Sequence, residues 1–169
     1  MDTPRGEYPS LSMYHVTLAC QHCEKPVCVK VCPTGATHQR VEDGICLVNY
    51  DACIGCRYCL ASCPYSTRTY NLRPPTQIPD FPIGNPDVKP RKAGVVEKST
   101  FCVHRLDKGI MTPACVEVCP ARARFFGDLN DPASQVSRLI AERNGYQLLP
   151  ESGTVPKVYF LPPRRRGHP

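Results

Sequence analysis

The sequence predicts an α+β fold of short hairpins and short helices with only a small apolar core. Three observations support that prediction. Two cysteine runs of similar shape each end in Cys-Pro, and an Asp-Gly turn signal stands between them. The 169 residues also include 19 prolines and 12 cysteines but no tryptophan. Such a chain buries little apolar surface, so we expect bound inorganic centres to stabilise it.

The two cysteine runs have the spacing of iron–sulfur ligands. The first run reads C-x2-C-x4-C-x3-C-P and the second reads C-x2-C-x2-C-x3-C-P. Three thiolates at short intervals wrap one [4Fe-4S] cluster, whereas the fourth, on the following turn, ligates the cluster of the other run. The proline then ends the ligand segment. The runs comprise Cys20, Cys23, Cys28 and Cys32, followed by Cys53, Cys56, Cys59 and Cys63.

A disulfide framework and a zinc site are the alternatives for so many cysteines. The N-terminal segment MDTPRGEYPSLSMY has no basic stretch followed by an apolar one, so we expect reduced thiols rather than secreted disulfides. Zinc sites usually combine two well-separated pairs of ligands. The second run packs its cysteines into residues 53–63 and ends in proline, which favours a cluster over a zinc ion.

A hairpin is predicted between the two runs. Asp43-Gly44 is a strong turn signal, and β-branched and apolar residues flank it. The hairpin would return the chain to begin the second run, giving a bacterial ferredoxin-like 2[4Fe-4S] module over residues 1–70. Cys46 lies in its second strand without a cysteine neighbour at ligand spacing, so we expect a buried core thiol there.

A proline-rich connector follows over residues 71–94, because proline removes hydrogen-bond donors and blocks helix formation. Residues 95–169 are predicted to contain a degenerate cluster half, one helix and an extended docking tail. Asp131 as the N-cap and Pro132 at the first helical position predict where the helix begins.

The same helix has an apolar stripe of Val136, Leu139 and Ile140, and Asn144-Gly145 predicts its end. The tail ends in three arginines at 164–166. They are expected either to be solvated or to dock on an acidic partner.

A third cysteine group ends in Cys-Pro like the two runs but begins differently. This group, termed the Cys102 group, contains Cys102, Cys115 and Cys119. Ser99 stands where a matching set would have a cysteine. Three fates are open for these thiols. They are reduced structural thiols, with or without a disulfide, or they hold a residual metal site with His104 or Ser99. Alternatively, another subunit or a longer natural chain completes their site.

The chain resembles the iron–sulfur electron-transfer subunits of the dimethyl-sulfoxide-reductase superfamily, which act with polysulfide, thiosulfate, arsenate and related oxidoreductases. The segments that carry the resemblance are CQHCEKPVCVKVCPTGAT, YDACIGCRYCLASCPYSTR, FCVHRLDKG, PACVEVCPARARFFGDLNDP and GTVPKVYFLP. Such subunits typically bear four cysteine motifs and four [4Fe-4S] clusters. By this resemblance one cluster is held by Cys20, Cys23, Cys28 and Cys63, and a second by Cys53, Cys56, Cys59 and Cys32.

Two departures from the family pattern concern one and the same pair of clusters. The family's first motif lies upstream of the stretch resembling GEYPSLSMYHVTLACQHC, and only a few residues precede that stretch here. The fourth motif has Ser99 in place of its first cysteine. Because the first and fourth motifs share a module, we expect two bound clusters, with a third metal site only at the Cys102 group.

The resemblance implies a non-catalytic subunit that relays single electrons. It would act between a molybdopterin or tungstopterin catalytic subunit and a membrane quinone-reactive anchor, a flavin subunit or a soluble redox partner. The alternatives are a free-standing polyferredoxin-type carrier and a structural zinc protein. No dinucleotide, P-loop or Ser/His/Asp motif is present. Assembly is expected in the cytoplasm, with a final location there or in the periplasm beside an exported partner.

Charge and hydropathy argue against two other classes of partner. The formal net charge is +6, and two clusters with four thiolates each would reduce it to about +2. We therefore expect no nucleic-acid partner. No window approaches the ~18 apolar residues that a membrane span needs, so no direct membrane span is expected.

Two cations near the cysteine runs are candidates for tuning the cluster potentials. Arg57 lies inside the second run, and Lys30 lies just before Cys32. A cation beside a cluster stabilises its more negative reduced form and so raises its reduction potential.

Overall fold

The computed structural model describes residues 6–9, 11, 16–74, 85–86, 88 and 91–163. Within them the chain forms short helices and two small antiparallel sheets, which confirms the predicted α+β class. The helices are α1 (Val27–Lys30), α2 (Tyr58–Ala61), α3 (Val103–Leu106), α4 (Ala114–Glu117) and α5 (Gln135–Glu142). The strands are β1 (Thr37–Gln39), β2 (Cys46–Val48), β3 (Thr69–Tyr70) and β4 (Val96–Glu97), and a 3₁₀ turn spans Pro150–Ser152.

The predicted hairpin is confirmed. Strands β1 and β2 pair antiparallel, with Gln39 opposite Cys46. At the turn, Gly44 has a φ of +67°, a conformation that glycine adopts without steric cost. The backbone N–H of Ile45 donates to Asp43 Oδ1 at 2.9 Å. Cys46 is only 1% exposed, so it is the buried thiol that the sequence predicted.

A second strand pair joins the two sides of the proline-rich segment. Strands β3 and β4 pair antiparallel, and the N–H of Gly94 donates to the carbonyl of Asn71 at 2.7 Å. Val95 and Val96 are among the most deeply buried apolar residues. Most of the predicted connector, residues 75–84, 87 and 89–90, lies outside the described residues.

Helix α5 begins later than predicted. Its N-cap is Ser134, whose hydroxyl accepts from the N–H of Ser137 at 3.2 Å. Asp131 instead accepts from the N–H of Ala133 at 2.9 Å and so stabilises the preceding turn. The predicted start was wrong because Asp131 and Ser134 both have side chains that can cap a helix, and Ser134 is the one that makes the cap. The predicted end is confirmed, since the N–H of Gly145 bonds to the carbonyl of Ile140 at 2.8 Å.

The C-terminal tail lies along the first cysteine run. The N–H groups of Glu24 and Lys25 donate to the carbonyls of Val155 and Thr154 at 2.8 and 3.0 Å. In the other direction, the N–H of Lys157 donates to the carbonyl of Gln21 at 2.9 Å. The chain's own first run therefore holds the tail. The prediction of an extended tail was only partly right, since a 3₁₀ turn spans Pro150–Ser152 and Val155 has a φ of 51°. The arginines at 164–166 lie outside the described residues.

None of the helices in the described ranges has the length and apolar character required to cross a membrane.

Candidate iron–sulfur sites

One cavity combines cysteines from both runs and is termed the Arg57 cavity. It encloses about 280 Å³, including its opening to solvent. Arg57 and Val96 contribute to its wall, as does Thr37 of β1. The cysteines that line it are Cys32, from the first run, and Cys53, Cys56 and Cys59, from the second.

Tight backbone geometry shapes the loop of the Arg57 cavity. Gly55 has a φ of +68°, and a Cβ added there would lie 2.1 Å from the carbonyl oxygen of Gly94. Arg57 has a φ of 63° and immediately precedes α2. The loop thus turns tightly enough for closely spaced thiols to face one space.

A backbone donor supports the Cys32 thiol. The N–H of Thr37 donates to Cys32 Sγ at 3.3 Å. Burial raises the pKa of Cys32, but hydrogen bonds from the N–H of Thr37 and from the hydroxyl and N–H of Thr34 together bring it below its ordinary value. Hydrogen bonds to sulfur favour the thiolate, which is the form that ligates iron.

The second cavity, termed the Arg68 cavity, also mixes the two runs. It encloses about 350 Å³, including its opening. Tyr65, Arg68 and Cys46 lie in its wall, and Thr154 reaches it from the tail. The hydroxyls of Tyr65 and Thr154 are 2.7 Å apart, which fixes the tail at the cavity wall. The ligand-type cysteines that line it are Cys20, Cys23 and Cys28, from the first run, and Cys63, from the second.

Two buried cations distinguish the Arg68 cavity. Arg68 is 6% exposed and Lys98 is 9% exposed. Burial opposes the charge of Arg68, but the neighbouring thiols of Cys28 and Cys59 hold its pKa above the ordinary value. Lys98 Nζ donates to the carbonyls of Cys46 and Ser99, and burial lowers its pKa. Arg68 thus places a positive charge in the wall of this cavity, and Lys98 lies behind the wall, close to Cys20 and Cys46.

Orphaned polar atoms test whether this cavity fits a cluster. Arg68 Nη2 and Gln21 Oε1 are buried without a hydrogen-bond partner, and both residues line the Arg68 cavity. Buried donors in folded proteins almost always have an acceptor. A sulfide-rich anionic cluster held by thiolates would supply acceptors for the guanidinium. The donor set of four thiols and one unpaired guanidinium thus fits a [4Fe-4S] cluster.

His22 lies between two of the cysteines but is a structural residue. It is 1% exposed, its Nδ1 accepts from the N–H of Cys46 at 3.2 Å, and its ring stacks on Phe101 with centroids 3.8 Å apart. Burial, together with the positive charge of Lys98, lowers the pKa of His22 to about 2. The ring is therefore neutral and adds no charge beside the cavity.

The third cysteine group is arranged more openly. Cys102 precedes α3 with a φ of 54°, and Cys115 is exposed in α4. Cys119 Sγ accepts from the N–H of Ala123 at 3.4 Å. All twelve cysteines are free thiols, so the disulfide considered for this group is not formed. Ser99 is exposed, and His104 is half-exposed on α3.

Across the described part of the chain, no three histidine, cysteine, aspartate or glutamate side chains converge as the ligands of a single metal ion would. The thiols of the two cavities instead surround a shared space. A third metal site at the Cys102 group stays a prediction.

The two predicted tuning cations differ in their placement. Arg57 lines a cavity, although its side chain is exposed, and its guanidinium lies 4.8 Å from the centroid of the Tyr70 ring. Lys30 is exposed at the end of α1.

Sequence reasoning missed Arg68 and Lys98. Arg68 follows Cys63 by five residues, and Lys98 directly precedes Ser99. Neither residue stands at a spacing typical of cluster ligands. Only the pairing of β3 with β4 brings both residues close to the Arg68 cavity.

Comparison with known proteins first defines a class. Residues 11–75 match one family described as a 4Fe-4S dicluster domain, and residues 52–123 match a second family with the same description. Together with the two cysteine-lined cavities, these matches make the chain a ferredoxin-like protein that binds [4Fe-4S] clusters.

Three relatives narrow the class. An iron–sulfur subunit named for dimethyl sulfoxide reductase, from Halobacterium salinarum, is 51% identical over 95% of this chain and 62% of its own length. A sulfite dehydrogenase subunit of Allochromatium vinosum is 41% identical over 95% of this chain and 61% of its own length. The arsenate respiratory reductase iron–sulfur subunit of a Shewanella species is 38% identical over 94% of this chain and 80% of its own length.

The chain belongs to the iron–sulfur electron-transfer subunits of the dimethyl-sulfoxide-reductase superfamily, as the resemblance of its sequence segments implied. It spans about three fifths of the length of the first two relatives.

Proposed function

We propose that this chain is a non-catalytic subunit that relays single electrons between a molybdenum or tungsten pterin catalytic subunit and a second redox partner. The observation that carries the proposal is the pair of cavities, each lined by three cysteines of one run and one of the other. A [4Fe-4S] cluster, when bound, accepts and passes on one electron at a time. The shared cysteine runs would hold two such centres side by side.

The linings of the cavities support a proposed set of ligands for each cluster. In the Arg68 cavity we assign Cys20, Cys23, Cys28 and Cys63 as ligands. In the Arg57 cavity we assign Cys53, Cys56, Cys59 and Cys32. Supporting evidence comes from the family's spacing rule, in which the fourth cysteine crosses to the other cluster, and from the orphaned guanidinium of Arg68. Cys46 lines the Arg68 cavity but is assigned no ligand role, because it lies outside the two cysteine runs and its Sγ donates to the carbonyl of Cys23 at 3.9 Å.

Relatives support a role within a larger complex. Besides the three above, the chain is 40% identical to the iron–sulfur cluster-binding subunit of a menaquinone reductase from Nitratidesulfovibrio vulgaris. We therefore propose a membrane quinone-reactive subunit, a flavin subunit or a soluble carrier as the second partner. Assembly would take place in the cytoplasm, and the final location would be there or in the periplasm with an exported partner.

We also propose a division of the chain into three parts. Residues 1–70 would form the two-cluster module, residues 71–94 the connector, and residues 95–169 the degenerate cluster half with its helix and tail. In the last part, the Cys102 group would bind metal only if Ser99, His104 or a group from outside the described residues completes its ligands.

Purification of the native complex tests the proposed partners. A tag on this chain should co-purify a large subunit, and the complex should contain molybdenum or tungsten together with a pterin. A native protein that elutes from size-exclusion chromatography as a monomer, with iron and sulfide but no other subunit, would instead favour the free-standing carrier. Zinc without acid-labile sulfide would indicate the structural zinc protein.

A further inference from the structure

Arg68 holds a positive charge that no carboxylate in the described ranges neutralises. Its Nη1 donates weakly to Thr37 Oγ1, at 3.4 Å, and its Nη2 has no partner. The residue lines the Arg68 cavity among Cys20, Cys28 and Cys63. An unpaired buried guanidinium is costly unless an anion compensates it. Its placement therefore points to the contents of this cavity as the compensating anion.

Lys98 adds a second buried charge on the same side of the molecule. Its Nζ donates to the carbonyls of Cys46 and Ser99, which are neutral acceptors. Cys46 itself lines the Arg68 cavity. Two cations are thus buried next to one cavity, and they contact neutral oxygens and cysteine sulfurs, while Arg68 Nη2 has no hydrogen-bond partner.

The Arg57 cavity has a different electrostatic environment. Its cation, Arg57, is exposed and stacks on Tyr70. Water and salt screen an exposed charge, whereas a buried one acts through a medium of lower effective dielectric constant. A buried cation beside the Arg68 cavity should therefore affect a cluster there more strongly than the exposed Arg57 affects a cluster in its own cavity.

We propose that Arg68 sets the reduction potential of the cluster in its cavity. Its Nη2–H would donate to that cluster and, together with Lys98, make it the higher-potential cluster of the two. The proposal rests on the ligand sets proposed above. One-electron reduction adds one negative charge, and a buried cation and a hydrogen-bond donor both favour the more negative state. Arginine keeps its proton throughout, so the electron moves without a proton from this side chain.

The consequence is an order of reduction. An electron delivered to the chain would rest first in the Arg68 cavity, beneath the C-terminal tail. The Arg57 cavity, with its exposed Cys56 thiol, would hold the lower-potential cluster.

A redox titration followed by EPR on the full chain with both clusters tests this. In the Arg68→Gln variant the higher of the two midpoint potentials should fall by more than the lower one, because Arg68 lines the Arg68 cavity and reaches the wall of the other cavity only through Thr37. The Arg73→Gln variant is the matched control, because it removes the same charge at an exposed position. It should leave both midpoints unchanged. A Cys56→Ser variant, which alters only the Arg57 cavity's ligand set, identifies the signal of that cluster.

If the Arg68→Gln variant does not assemble with its clusters, the Arg68→Lys variant is titrated in its place. It keeps the charge but removes the guanidinium donor, so the higher midpoint should fall by less than in Arg68→Gln. An unchanged higher midpoint in the assembled variants, or a shift of the lower midpoint instead, would overturn the proposal. Iron and sulfide are counted in the same samples. A wild-type chain without them contradicts the proposed function, whereas full occupancy with unmoved potentials contradicts only the role of Arg68.

Discussion

The Arg68 cavity and the Arg57 cavity have the same kind of cysteine lining but different surroundings. Buried cations and the C-terminal tail surround the first, whereas the second opens near an exposed thiol and Ile54, whose surface is 67% exposed. The cysteine motifs are nearly interchangeable, so they do not cause the difference. Residues outside the motifs, from distant parts of the chain, give each cavity its own electrostatics and solvent access.

The largest expected effect is the loss of a cluster when a proposed ligand of the Arg68 cavity is replaced, as compared with a neighbouring cysteine that is not a proposed ligand. The Cys63→Ser variant should lose or convert the cluster of this cavity, although Cys63 belongs to the second run, because the fourth cysteine crosses over. Iron analysis and EPR measure the loss. The matched control is Cys46→Ser, which changes a thiol in the same wall. If Cys46→Ser lost as much iron as Cys63→Ser, the assigned ligand set would be wrong.

Gly55→Ala should break the Arg57 cavity specifically. The added Cβ would lie 2.1 Å from the carbonyl oxygen of Gly94, so the backbone must move. Gly35→Ala is the control, because Gly35 also has a positive φ but has nothing within 4 Å of an added Cβ. The control should cost only the conformational strain, about 1–2 kcal/mol, and Gly55→Ala should cost clearly more. Denaturant unfolding of the cluster-bound chain measures both, and equal losses would refute the packing at Gly55.

The tail contact should matter to the Arg68 cavity alone. Tyr65→Phe removes the hydroxyl that lies 2.7 Å from that of Thr154, at a cost of about 1 kcal/mol in unfolding free energy. A chelator should then extract iron faster from the Arg68 cavity than from the Arg57 cavity. Tyr58→Phe, at an exposed tyrosine, is the control and should change neither rate. Equal acceleration at both cavities would contradict a local role for the tail.

The smallest expected effect is that of Arg57. Arg57→Ala should lower the midpoint potential of the cluster in the Arg57 cavity, because a nearby cation is removed. Since the guanidinium is exposed, the shift should stay below about 59 mV, which corresponds to a tenfold change in a one-electron equilibrium. An EPR redox titration decides the point. Unchanged potentials would show that Arg57 is only a surface charge.

Local patterns in the sequence predicted the hairpin, the end of α5, the buried Cys46 thiol and the class of cofactor. Cysteine spacing and turn chemistry act over a few residues, so they can be recognised without the fold. The start of α5 was missed because Asp131 and Ser134 both have capping side chains, and only the folded backbone selects Ser134.

The surroundings of the cavities were not predictable in the same way. Arg68 and Lys98 reach their positions through the pairing of β3 with β4 across the proline-rich segment. Thr154 meets Tyr65, from which it is separated by 89 positions in the sequence. Such contacts depend on tertiary packing, which no spacing rule encodes.

Quantification of iron and acid-labile sulfide per chain tests the central claim most directly. Two cysteine-lined cavities, each holding one [4Fe-4S] cluster, predict about eight iron atoms and about eight sulfides per chain. About four of each, or zinc in place of iron with no sulfide, would contradict two clusters in the Arg68 and Arg57 cavities.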